Sequence, residues 1–191
     1  MQCIDFRNIE SYAFLKEKGY HGNIVTDYSI YQFNPYAKQF WKNENVESDT
    51  APLELNYKEL KENGLENSEL IIYGYYPMMV SAQCFVKTVK GCKKEKERIS
   101  FSDRYKKTFT AKCNCDYCYN IIYNTTPLML LDQTREIADL APKALRLHFT
   151  IENEEQMKKI LSLYENVFLK EISEDISSIE FTRGHFKRGI K

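Results

Sequence analysis

Short apolar runs alternating with capped helical segments predict an α/β fold of parallel β/α units, interrupted once by a cysteine-rich insert. Two observations carry that class. Apolar runs are followed repeatedly by Asn or Thr and then by apolar residues at helical spacing, the signature of strand, N-cap and helix. The rhythm breaks over residues 84–119, where five of the six cysteines fall. With 191 residues and 43% hydrophobic content the chain can bury a sizeable core, and residues 1–191 read as one domain.

Cys3–Phe6 reads as the first strand. Asn8 then caps a helix with Ile9, Tyr12, Ala13 and Leu15 on its buried side, ending at Gly19. Asn23–Thr26 is the second strand. Asn34 before Pro35 reads as N-cap and first helical residue, with Tyr36, Ala37, Phe40 and Trp41 at helical spacing. Ala51–Leu55 is the third strand expected, and Asn56 with Glu59 forms a capping box for a helix closing near Gly64. Glu69–Tyr75, rich in β-branched and aromatic residues, is the fourth strand.

Inside the insert, Ile99–Phe101 and Thr108–Ala111 suggest a small hairpin. The alternation resumes with a helix expected from Thr126-Pro127 through Leu128, Leu131 and Ile137, stopping before Pro142. Ala144–Phe149 is a further strand. Asn153 and Gln156 open a last helix bearing Met157, Ile160, Leu161, Tyr164 and Phe168. Such alternation predicts parallel pairing with right-handed crossovers. About five units fall short of the eight a closed barrel needs, so a partial barrel and an open sheet both fit. A partial barrel implies exposed strand edges that favour a second copy or another partner.

Lys+Arg and Asp+Glu balance at 27 each, which excludes a broad electrostatic footprint for nucleic acid or an anionic membrane. No apolar run is long enough to span a bilayer. The opening MQCIDFRNIE lacks the plan of a signal peptide, so a cytoplasmic protein is expected.

In a reducing compartment clustered cysteines point to metal or redox chemistry rather than disulfides. Cys84 and Cys92 form one loose pair; Cys115 and Cys118 form a Cys-x2-Cys pair, whose spacing turns two sulfurs onto one ion. Cys113 adds a further candidate. Thiolates select zinc, copper(I) or an iron–sulfur cluster, while the plain alternative is buried free thiols. Cys3 is isolated. The basic run Lys90–Arg98 beside these thiols reads as a solvated loop.

No Gly-x-Ser-x-Gly or His-Glu-x-x-His motif is present. Arg146 and His148 share a strand face by alternation, either toward a site or as a buried polar pair. Glu54 lies between an expected strand and a helix, where β/α folds place catalytic groups. These three are the catalytic candidates. His21 reads as an exposed turn residue and His185 as part of a structural turn. Tyr73, Tyr75 and Tyr76 with Met78 and Met79 read as a core stripe before a ligand wall.

ELIIYGYYPMMVSAQC, residues 69–84, resembles the signature region of the collagenase-like U-type peptidases, family U thirty-two. The resemblance continues through Phe101-Ser-Asp-Arg104, Cys115-Asp-Tyr-Cys-Tyr-Asn120, Leu145-Arg-Leu-His-Phe-Thr150 and Phe181-Thr-Arg-Gly-His-Phe-Lys-Arg-Gly189. Pro77 stands where the signature has a first cysteine, and Ala82 where it has glycine. The resemblance implies a TIM-barrel-like catalytic domain, here its C-terminal part, with the other barrel half supplied elsewhere. It implies a peptidase or hydrolase. Other branches of the family resemble iron–sulfur enzymes that hydroxylate RNA bases or a small aromatic substrate. In those branches four cysteines hold the cluster, and the matching positions are Cys84, Cys92, Cys115 and Cys118. A 4Fe–4S cluster is thus the expected cofactor, with zinc as the alternative. A non-catalytic, zinc-stapled scaffold is the third reading, since a structural zinc contributes about 10–16 kcal/mol in small zinc peptides.

Overall fold

The computed structural model describes residues 3–46, 48–92, 94 and 98–188. Residues 93 and 95–97 of the basic run, and Gly189 of the closing motif, lie outside the described residues. The chain divides into two compact units. One comprises Met1–Ile72, Leu130–Leu147 and Arg183–Lys191; the other comprises Tyr73–Met129 and His148–Thr182.

The first unit is α/β with parallel strands. β1 (Cys3–Phe6), β2 (Asn23–Thr26), β3 (Ser48–Thr50) and β4 (Ser68–Gly74) pair in parallel in that order, and β10 (Ala144–His148) lies beside β4. In β4, Leu70, Ile71 and Ile72 are all buried, as expected for a strand covered on both faces. The connecting helices are α1 (Ile9–Glu17), α2 (Pro35–Asn43) and α3 (Tyr57–Asn63), with α5 (Thr134–Leu140) entering later. Their expected caps form: Asn8, Asn34 and Asn56 each accept a backbone N–H, and Asn56 completes its box with Glu59. Phe6, Tyr12, Trp41 and Val46 form one core cluster, with Tyr12 edge-on to Trp41 at 5.1 Å.

The helices bury less than their sequences suggest. Of the side expected inward on α1 only Tyr12 is buried, and Ile9 is exposed. On α2 only Trp41 is buried, leaving Tyr36 and Phe40 exposed. The third strand is also not where the apolar run lies. Ser48–Thr50 takes its place, because Asp49 and Thr50 pair with Ser68 and Glu69 and Asp49 accepts a 2.8 Å hydrogen bond from Ser68. Ala51–Leu55 contains Pro52, which has no N–H for a ladder.

The second unit is dominated by an antiparallel sheet ordered β5 (Pro77–Ser81), β8 (Tyr119–Tyr123), β7 (Thr108–Asn114) and β6 (Arg98–Ser102). The expected hairpin is β6–β7, longer at its end. Between β5 and β6 runs α4 (Phe85–Lys90). The helix expected from Pro127 does not begin there. Leu128 and Met129 form β9, antiparallel to Tyr73 and Gly74. Leu128 to Leu131 are buried consecutively, a pattern that suits extended chain inside a core better than a one-sided helix. The last helix, α6 (Glu154–Phe168), starts with the expected Asn153–Gln156 box and sets Tyr164 6.1 Å from Tyr73. No described helix is long and apolar enough to cross a membrane.

Candidate metal centre

The four expected ligands come from two places in the second unit. Cys84 is the N-cap of α4, and its Sγ accepts the Lys87 N–H at 3.5 Å. Gly91, at φ 80°, ends that helix in the left-handed region, and Cys92 follows. Cys115 and Cys118 sit in the turn joining β7 to β8. That turn is closed by the Tyr117 N–H donating to Asn114 O at 3.2 Å, and Cys118 has φ 56°.

These segments meet. Cys84, Cys92, Cys115 and Cys118, together with Cys113, line a single cavity of about 410 Å³ beside Lys87 and Tyr119. None is in a disulfide: Cys113 is buried, Cys84 and Cys115 are half-buried, and Cys92 and Cys118 are exposed. Burial raises the Cys115 pKa above its ordinary value of 9.0, and the negative field of Cys84, Cys92 and Cys118 raises it further. The donor chemistry therefore fits a thiophilic metal or an iron–sulfur cluster. Among the described residues no group of three or more His, Cys, Asp and Glu is already arranged around one metal position. The cysteines line one cavity without forming such a group.

None of the other candidates lines this cavity. Arg146, in the first unit, is engaged by three carboxylates. Its guanidinium lies 3.2 Å from Asp27 and 3.5 Å from Asp5, and it also pairs with Glu69. Arg7 reaches Asp27 at 3.3 Å. Burial, and then the Asp27 carboxylate, raise the Asp5 pKa, with Arg146 and Arg7 opposing. Glu54 has one carboxylate oxygen buried with no hydrogen-bond partner. His148, in the second unit, lies parallel to the Tyr76 ring at 6.4 Å. Asp5, Asp27 and Glu69 are far apart in the sequence and come together only in the fold. Their signal was charge within or at the end of otherwise apolar strand runs.

No protein-family model, no curated protein and no solved structure matches the chain.

Proposed function

We propose that the chain is a domain of the collagenase-like U-type peptidase family, with a partial TIM-barrel-like fold. Its second unit would carry a 4Fe–4S cluster on Cys84, Cys92, Cys115 and Cys118, in an enzyme that modifies RNA or a small aromatic substrate in the cytoplasm. The observation that carries this reading is that these four cysteines, none of them in a disulfide, line one cavity. When bound, the cluster supplies one-electron redox chemistry. The chain's own part is to bind and to orient. The Lys87 N–H donates to the Cys84 sulfur, and the β7–β8 turn carries Cys115 and Cys118, both of which line the cavity. Zinc on the same thiolates is the alternative occupant, giving a scaffold role.

Peptide hydrolysis is the second reading. It is favoured by the buried, unpartnered Glu54 carboxylate oxygen, since such a carboxylate lacks the donors that normally offset its burial. Arg146 and His148 are its other proposed participants. A second copy of this chain, or a partner supplying further strands, fits the position of β1 and β10 at the two ends of the sheet order.

Anaerobic purification followed by iron, sulfide and zinc analysis and a visible absorption scan tests the reading. Iron and sulfide with broad charge-transfer absorption, lost in Cys115→Ser, support the cluster. Zinc alone supports the scaffold, and neither metal removes the metal reading. Cleavage of gelatin or peptides that Glu54→Gln or His148→Ala abolishes would establish the hydrolase instead.

A further inference from the structure

Asn120 joins the two stretches of chain that carry the cavity cysteines. It is fully buried in β8, paired with Ser81 of β5 on one side and Cys113 of β7 on the other. It lies just after the turn that bears Cys115 and Cys118. The pairing of β5 with β8 ends at Ser81. The Asn120 side chain carries the connection further. Its Nδ2 donates to Gln83 O at 2.7 Å and to Ser81 O at 3.4 Å, and the Gln83 N–H donates to Ser81 Oγ at 3.2 Å. The tie thus reaches the residue before Cys84. Asn120 Oδ1 is buried with no hydrogen-bond partner among the described residues. A buried amide oxygen left unpaired costs stability, which the donation to Gln83 has to offset.

We propose that Asn120 is a positioning residue for the metal centre: by holding the Gln83 carbonyl it ties the arm that carries Cys84 and Cys92 to the turn that carries Cys115 and Cys118. The inference rests on the four-cysteine metal reading above, and it holds for zinc and for a cluster alike. Two arms already tied together lose less freedom on capturing an ion than two loose ones. The coupling is reciprocal: a tie that strengthens metal binding is itself strengthened when metal binds.

Zinc is the probe, titrated anaerobically into the reduced full chain against a chromophoric chelator. The chain is compared unsubstituted, as Asn120→Ala and as Asn120→Val, each with all cysteines present and each combined with Cys84→Ser and Cys92→Ser. Val keeps the vacated volume filled, so it separates the lost donor from lost packing. With all cysteines present, both substitutions are expected to lower zinc affinity about ten- to a hundredfold. Where the Cys84–Cys92 arm has lost its thiols, they are expected to change nothing. An equal loss in that background would mean that the whole sheet is loosened and would overturn the proposal, as would unchanged affinity with all cysteines present. A second measurement needs no Asn120 variant. Zinc should slow exchange of the Asn120 side-chain amide protons, read by NMR, more than that of the backbone amides of β6 and β7. Equal slowing, or none, would overturn the proposal even if both variants failed to fold. If the unsubstituted chain binds zinc no more tightly than the chain with Cys84→Ser and Cys92→Ser, the four-cysteine reading fails and this inference with it. That outcome is visible before any Asn120 variant is compared.

Discussion

The guanidinium of Arg146 lies 3.2 Å from the carboxylate of Asp27, whose side chain is 1% exposed. A carboxylate that deeply buried needs its counter-charge in place. Replacing Arg146 with Leu leaves Asp27 with Arg7, whose side chain is 61% exposed. The expected loss is about 3–5 kcal/mol of folding stability. Urea denaturation at neutral pH checks it; a midpoint equal to that of the unsubstituted protein would show that the ion pair is dispensable.

Asp5 belongs to the same cluster and has the opposite sign. Its pKa is raised above the ordinary 3.8, first by burial and then by the Asp27 carboxylate. An acid with a raised folded pKa holds more protons folded than unfolded, so stability falls as pH rises through that window. Asp5→Asn removes the penalty. The variant is expected to be more stable than the parent at neutral pH, with the gain vanishing as pH drops below 3.8. Paired thermal melts across acid and neutral pH would reveal the crossover.

Gly74 leaves no room for a side chain. A Cβ there would lie 2.6 Å from the backbone oxygen of His148. Backbone cannot swing aside as a flexible side chain can, so Gly74→Ala is expected to cost about 1–3 kcal/mol. An unchanged denaturation midpoint would refute the close approach.

Asn56 accepts N–H bonds from Lys58 and Glu59, and Glu59 returns a carboxylate to the Asn56 N–H at 2.7 Å. Asn56→Ala is expected to cost about 1 kcal/mol. The double variant with Glu59→Ala should cost less than the sum of the two singles, because both halves of the box share α3.

Cys84→Ser separates the cap from the metal. Serine is a good N-cap, so α4 is retained, while a hydroxyl is a poor ligand for a soft ion. Metal affinity is expected to fall by more than about tenfold in a competition titration with a chelator. Cys3→Ser, on β1 in the other unit, should leave it unchanged.

What could be read from the sequence was local. The caps at Asn8, Asn34, Asn56 and Asn153 were legible because each is decided within four residues. The ionic cluster was not, since Arg146 lies 141 residues from Asp5 and 119 from Asp27 along the chain. Nor was the full antiparallel sheet. Its strand β5 is exposed along most of its length, so it lacks the alternation that marks a half-buried strand.

The helix that Cys84 begins has only six residues. So short a helix has no autonomy, because nucleation is costly and few bonds repay it. Its first turn hangs from the very sulfur that an inorganic guest would claim. A change at that half-buried atom therefore acts directly on the cap of a helix with little stability of its own.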